Sequence, residues 1–115
     1  MTPRTALVPV RLVMLNNTNK QDFIAASGND AVYRDIAFLV LTNTSGTDTV
    51  VEVYDDAADT DPVTEITVKA NDSAGWSLSK NPFPQGTANK KWALKTLTGV
   101  TSLKASAVVV QRTNP

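Results

Sequence analysis

The sequence contains no cysteine and no histidine. Without cysteine there can be no disulfide, no thiolate nucleophile and none of the usual structural zinc sites. Without histidine the chain lacks the commonest general base, the serine–histidine pair and most transition-metal sites. Carboxylates or lysines could still support chemistry, but the residues most used for acid–base and nucleophilic work are missing, so the composition predicts a protein that is not an enzyme and uses no cofactor. No apolar run is long enough to span a bilayer, so no membrane partner is expected. Met1-Thr2-Pro3-Arg4 leads into an apolar stretch broken by Pro9 and Arg11, too short and interrupted for a secretion signal. No window sustains helical periodicity.

Charge of either sign is also not in excess: 11 basic and 11 acidic residues give a formal net charge of zero. A nucleic-acid-binding domain is usually basic overall, so no nucleic-acid partner is expected. The charges are nevertheless segregated. Every acid lies between Asp22 and Asp72, with Arg4, Arg11 and Lys20 before that block and Lys80, Lys90, Lys91, Lys95, Lys104 and Arg112 after it. Such separation can create opposed electrostatic faces suited to protomer–protomer contact, or can simply keep different edges solvated.

What is present is β pattern. The chain of 115 residues has the size of one domain, 1–115, with 1–9 as a possible N-terminal arm. Its centre is Tyr33 to Asp56. Ile36 to Leu41 is an unbroken apolar run, the mark of a strand covered on both faces or of a middle strand in a sandwich sheet. The turn-rich Thr42 to Asp48 follows, and Thr49 to Tyr54 then alternates, with Val51 and Val53 on one face and Val50, Glu52 and Tyr54 on the other. The spacing predicts a β-hairpin here. Around it, alternation predicts strands over Ala6 to Leu15 (Val8, Val10, Leu12 and Met14 on one face), Gln21 to Ser27, Thr64 to Lys69, Ala74 to Ser79, Lys90 to Thr96 and Leu103 to Arg112. In the last, Leu103, Ala105, Ala107 and Val109 share a face. Pro9 cannot donate a ladder hydrogen bond, so the first strand belongs at an edge or begins as an arm. About eight short strands with closely spaced turns predict an all-β, eight-stranded antiparallel β-sandwich of jelly-roll type, the alternative being an immunoglobulin-like sandwich.

Three candidate sites emerge. Asp55, Asp56, Asp59 and Asp61 share one loop, but their spacing is not that of a calcium loop and no glycine sits at the turning position, so a solvated loop without metal is expected. Trp76 and Trp92 fall in phase with the apolar faces of their strands and are expected in the core, whereas Tyr54 falls on the polar phase and is expected to be exposed. No catalytic set is visible. The apolar, basic N-terminal segment supplies the partner-binding candidates Arg4, Ala6, Leu7, Pro9 and Arg11. Terminal segments are usually polar and frayed unless something ties them down. The competing reading makes Ala6 to Leu15 the first edge strand of the chain's own sandwich.

The order of these segments carries a resemblance. Leu41-Thr42-Asn43-Thr44-Ser45-Gly46-Thr47-Asp48 runs into Thr49-Val50-Val51-Glu52-Val53-Tyr54-Asp55-Asp56. Ile66 to Trp76 follows, then the proline loop Asn81-Pro82-Phe83-Pro84 and the closing strand Lys104 to Val110. Over Ile36 to Arg112 this resembles small β-sandwich proteins of tailed-phage head genes. The resemblance implies a capsid decoration, or cement, protein: a structural virion component on the outer capsid surface, made in the host cytoplasm. Its implied partners are the major capsid protein and other copies of itself, with a trimer favoured. A receptor- or carbohydrate-binding sandwich of a phage fibre is the alternative. No functional residue carries over from the resemblance.

Overall fold

The computed structural model describes residues 4–15, 19–77, 83–97 and 103–113, with the backbone alone for 4–15 and 76–77. Eight strands follow one another: β1 Arg4–Leu15, β2 Gln21–Ile24, β3 Val32–Asn43, β4 Thr49–Tyr54, β5 Thr64–Val68, β6 Asp72–Ser77, β7 Trp92–Thr96 and β8 Leu103–Thr113. They form two four-stranded antiparallel sheets, in the orders β1-β8-β3-β6 and β2-β7-β4-β5. The pairs β1–β8, β2–β7, β3–β6 and β4–β5 are nested, as in one long ribbon folded back on itself at residues 55–63. Rolling that ribbon adds the pairs β3–β8 and β4–β7 and divides it into two layers. This is the jelly-roll architecture expected from the strand count.

The core lies between the layers. Leu39 and Leu41 of β3, Val51 and Val53 of β4, Trp92 and Leu94 of β7 and Leu103, Ala105, Ala107 and Val109 of β8 are all buried there. Each set follows the period-two phase of its strand. The Trp92 indole meets the Phe83 ring edge-on at 5.9 Å, and its Nε1 donates to the Arg34 carbonyl at 2.8 Å. The buried indole therefore keeps a hydrogen-bond partner. The side chain of Trp76 lies outside the described residues, as do the turns at 16–18 and 98–102 and the loop positions Asn81 and Pro82.

The expected hairpin at 33–56 does not form. β3 pairs with β6 and β8, β4 with β5 and β7, so the connection 44–48 crosses from one sheet to the other. Five residues suit either connection, so loop length could not discriminate. The crossing is pinned by Asn43, which is fully buried. Its Nδ2 donates to the Thr47 carbonyl at 2.8 Å and reaches Val68 O of the opposite sheet at 3.3 Å, while its Oδ1 accepts from Ser45 N at 3.0 Å. The sole pairing between consecutive described strands is β4–β5.

The apolar run in β3 is a middle strand covered on one face. Phe38 is 40% exposed on the other. A register shift between Ile36 and Phe38 brings Ile36, Ala37 and Leu39 all into buried positions, which hides the alternation in the sequence. A similar shift falls between Val10 and Val13 in β1. Val8, Val10, Val13 and Leu15 stand in register opposite the buried Val109, Ala107, Ala105 and Leu103, so the expected phase through Leu12 and Met14 breaks at this irregularity.

The N-terminal segment is part of the sandwich from Arg4 onward: β1 pairs along β8, with Pro9 opposite Val108. It is an edge strand, where a residue without an N–H is tolerated.

Candidate assembly surfaces

Four strands bound the two sheets: β1 and β6 in one, β2 and β5 in the other. Edges present unpaired backbone donors and acceptors, and so are the places where a second chain can add. The candidate residues Arg4, Ala6, Leu7, Pro9 and Arg11 are all in β1, and no described strand pairs with its outer edge. Arg4 stands in register opposite Arg112.

At the other side of the sandwich, a cleft of about 400 Å³ opens between the layers at β5. Its lining includes Ile36, Leu39, Val53, Ile66 and Phe83. Ile66 is on the core-facing phase of β5 yet only half-buried, whereas Val68 two residues on is fully covered. Sequence reading placed Ile66 in the core but did not find this opening, because a strand's phase says nothing of whether a neighbour covers it.

The outward face beside the cleft is acidic. Glu65 stands directly opposite Glu52, and Glu52 has Lys95 on its other side. Tyr54, expected to be exposed, is buried at 3% exposure. The Lys20 ammonium covers its ring at 3.9 Å from the centroid, and its hydroxyl donates to Glu52 Oε1 at 2.9 Å. Tyr54 is on the outward phase as read, but the loop before β2 covers it there, a long-range packing that alternation does not encode. Burial first, then the Glu52 hydrogen bond and the charges of Glu52, Asp61 and Glu65, push its pKa up to about 12.

The aspartates of loop 55–63 do not converge. Asp55 Oδ2 accepts from Gly86 N at 2.7 Å and Asp56 Oδ1 from Ala58 N at 3.0 Å, while Asp59 and Asp61 are exposed. Lys20 Nζ donates to the loop carbonyls of Ala57 and Asp59. Among the described residues, no group of three or more acidic side chains is arranged to hold a metal ion.

A polar node that sequence reading missed fixes one end of the sandwich. Asp35 is fully buried and accepts from Arg112 Nε at 2.7 Å and from Gln85 N at 2.9 Å. Buried Gln85 donates to the carbonyls of Asp55 (3.0 Å) and Lys90 (2.8 Å) and accepts from Arg34 N at 2.9 Å. Arg112 also packs over the Tyr33 ring, 4.1 Å from its centroid. The hydrogen bonds to Asp35 raise the Arg112 pKa above its ordinary value, outweighing burial. The node ties β3, β8 and the proline loop together, and a backbone bridge between Ile36 and Phe83 reinforces it. The available signal was an aspartate at the start of an apolar strand; its partner is 77 residues away.

No protein-family model and no curated protein matches the sequence. Among solved structures, a Bacillus endospore appendage protein, from a novel family of disulfide-linked pili, is similar with a TM-score of 0.52 at 14% identity, over 95% of this chain and 89% of that one. The tobacco streak virus coat protein gives a TM-score of 0.48 at 11% identity, over 100% and 85%. Its dimer structure gives 0.48 at 12% identity, over 100% and 83%. At such identities the likeness concerns the fold, and the appendage protein is the one that carries it.

Proposed function

We propose that this chain is a structural subunit of a virion, a capsid decoration protein that reinforces joints between major capsid subunits from the outer surface. The observation that carries this reading is that β1 and β5, two of the four edge strands, lie on opposite sides of the jelly roll with no further strand paired to them among the described residues. Edges of this kind add to neighbouring sheets through main-chain hydrogen bonds, and a repeating lattice multiplies weak contacts into firm attachment. The segregated charges, the composition and the resemblance over Ile36 to Arg112 support the same role. The fold is shared with a subunit of disulfide-linked pili. Having no cysteine, this chain would hold its neighbours non-covalently. The major capsid protein is the proposed partner, and self-association, with a trimer favoured, accompanies it.

The test is gel filtration of the full chain with and without purified capsids of its particle, followed by electron microscopy of the decorated particle. Co-elution and density above capsid joints are expected; free elution together with bare capsids refutes the role. The cleft beside β5 favours a second reading, a receptor- or carbohydrate-binding domain of a fibre, because open apolar clefts of this volume suit small ligands. A glycan array decides that reading.

A further inference from the structure

We propose that copies of this chain associate head to tail, the β1 edge of one copy pairing along the β5 edge of the next, with Arg4 set against Glu65. This rests on the structural-subunit reading and names the contact between copies.

The first ground is charge. On the outer face of the β2-β7-β4-β5 sheet, one cross-strand row reads Lys95, Glu52, Glu65 and ends at the open edge. Two like charges directly opposite each other destabilise a sheet. Among the described residues no lysine or arginine forms an ion pair with Glu65; the three ion pairs are Lys69–Asp48, Lys91–Asp22 and Arg112–Asp35. A strand added to β5 would put a residue across from Glu65, and a cation there would continue the row with the sign it lacks. The opposite edge carries the other sign. Arg4 on β1 stands in register against Arg112 on β8, and β1 has Arg4 and Arg11 and no acid. The two edges thus differ in sign: a like-charge register pair at β5, and at β1 arginines without an acid on the strand, Arg4 standing beside an Arg112 that is already paired with Asp35.

The second ground is incomplete burial. Ile66, on the core phase of β5, is half-buried beside the cleft, and the neighbouring Val63 is 41% exposed. An apolar strand laid along β5 would close the cleft. β1, which reads RTALVPVRLVML, is such a strand.

The third ground is topology. β1 and β5 belong to different sheets, at opposite flanks. Joining unlike edges is a heterologous contact, which repeats into rings or filaments rather than ending at a two-fold dimer. The joined sheet would run β6-β3-β8-β1 of one copy into β5-β4-β7-β2 of the next. A closed ring of three copies would satisfy the favoured trimer.

The test uses sedimentation velocity on the full-length protein over a wide concentration range, at low and high salt, with thermal melts to confirm folding. Wild type should gain mass with concentration, less so at high salt. Glu65→Arg and Arg4→Glu should each weaken association at least about tenfold, because like charges then face each other at the joint. The double reversal should restore it. A wild type that stays monomeric throughout overturns the proposal, as do folded single variants with unchanged mass or a double variant without rescue. Capsid binding of the same variants is measured separately. Charge-dependent self-association without capsid binding upholds this contact and removes the decoration role. Loss of capsid binding with unchanged self-association assigns the edge to a capsid protein and overturns this contact.

Discussion

The two outer strands of the β2-β7-β4-β5 sheet end in opposite conditions. On β2, Phe23 and Ile24 are 5% and 2% exposed, although β2 is only four residues long and has one strand neighbour. On β5, Ile66 occupies the equivalent core phase and remains half-buried. Strand length does not explain the contrast, since both strands are short. Both have strands of the other layer against them, β1 beside β2 and β3 and β6 beside β5, but only at β5 do the layers part into the cleft. Burial of an edge residue thus depends on how closely the opposite layer closes over it, and an unsealed edge is where a protein of this kind can meet a partner.

The largest expected effects lie on the sealed side. Trp92→Ala removes a fully buried indole and should cost about 3–5 kcal/mol in urea unfolding. Asp35→Ala should cost a comparable amount, about 3–5 kcal/mol, because Arg112 would be left without its buried partner. A loss under about 1 kcal/mol for either would show that this end relaxes freely.

The comparison itself is sharpened by matched truncations. Ile24→Ala should lose about 2–5 kcal/mol, as buried isoleucines do. Ile66→Ala in the dissociated protein should lose about half as much, since less apolar area leaves water there. Equal losses would mean that β5 is covered in solution.

Alkaline pH probes the outward face next to β5. The folded pKa of Tyr54 is raised to about 12, so its neutral form is favoured by folding. That contribution is fully present below the unfolded value of about 10 and is lost as pH rises through about 12. Ultraviolet titration should show one tyrosine ionising late, and Glu52→Gln should bring it earlier by removing the charge and leaving only a weaker, neutral acceptor. No change on that substitution would break the assignment.

The smallest effect is expected at Glu65. Glu65→Gln should change the stability of the dissociated protein by less than about 0.5 kcal/mol, with any change favourable because a like-charge pair is relieved. A substantial loss would reveal a partner for Glu65 within its own chain.

Alternation alone located every strand within a few residues and placed Leu103, Ala105, Ala107, Val109, Trp92 and Leu94 on the core faces they occupy. It did so because side-chain direction in a strand is a local, period-two property. It misjudged Tyr54 because Lys20, far away in sequence, covers an outward position. It misjudged the β1 phase because a register irregularity inserts residues without any local signature. The acids of the β5 edge could be read as outward-facing; their opposition across strands could not.

By itself, then, the sequence determined the all-β class, the eight strands, the faces of most of them and the chemistry that lacks cysteine and histidine. These follow from residue type and nearest-neighbour spacing. The tertiary structure decided which strands pair, that 44–48 crosses between sheets instead of closing a hairpin, that Asp35 meets Arg112, and that β5 stays open while β2 is sealed. Those outcomes depend on contacts between residues distant in the chain, where burial of the whole set of apolar faces selects one arrangement among many that satisfy the same local pattern.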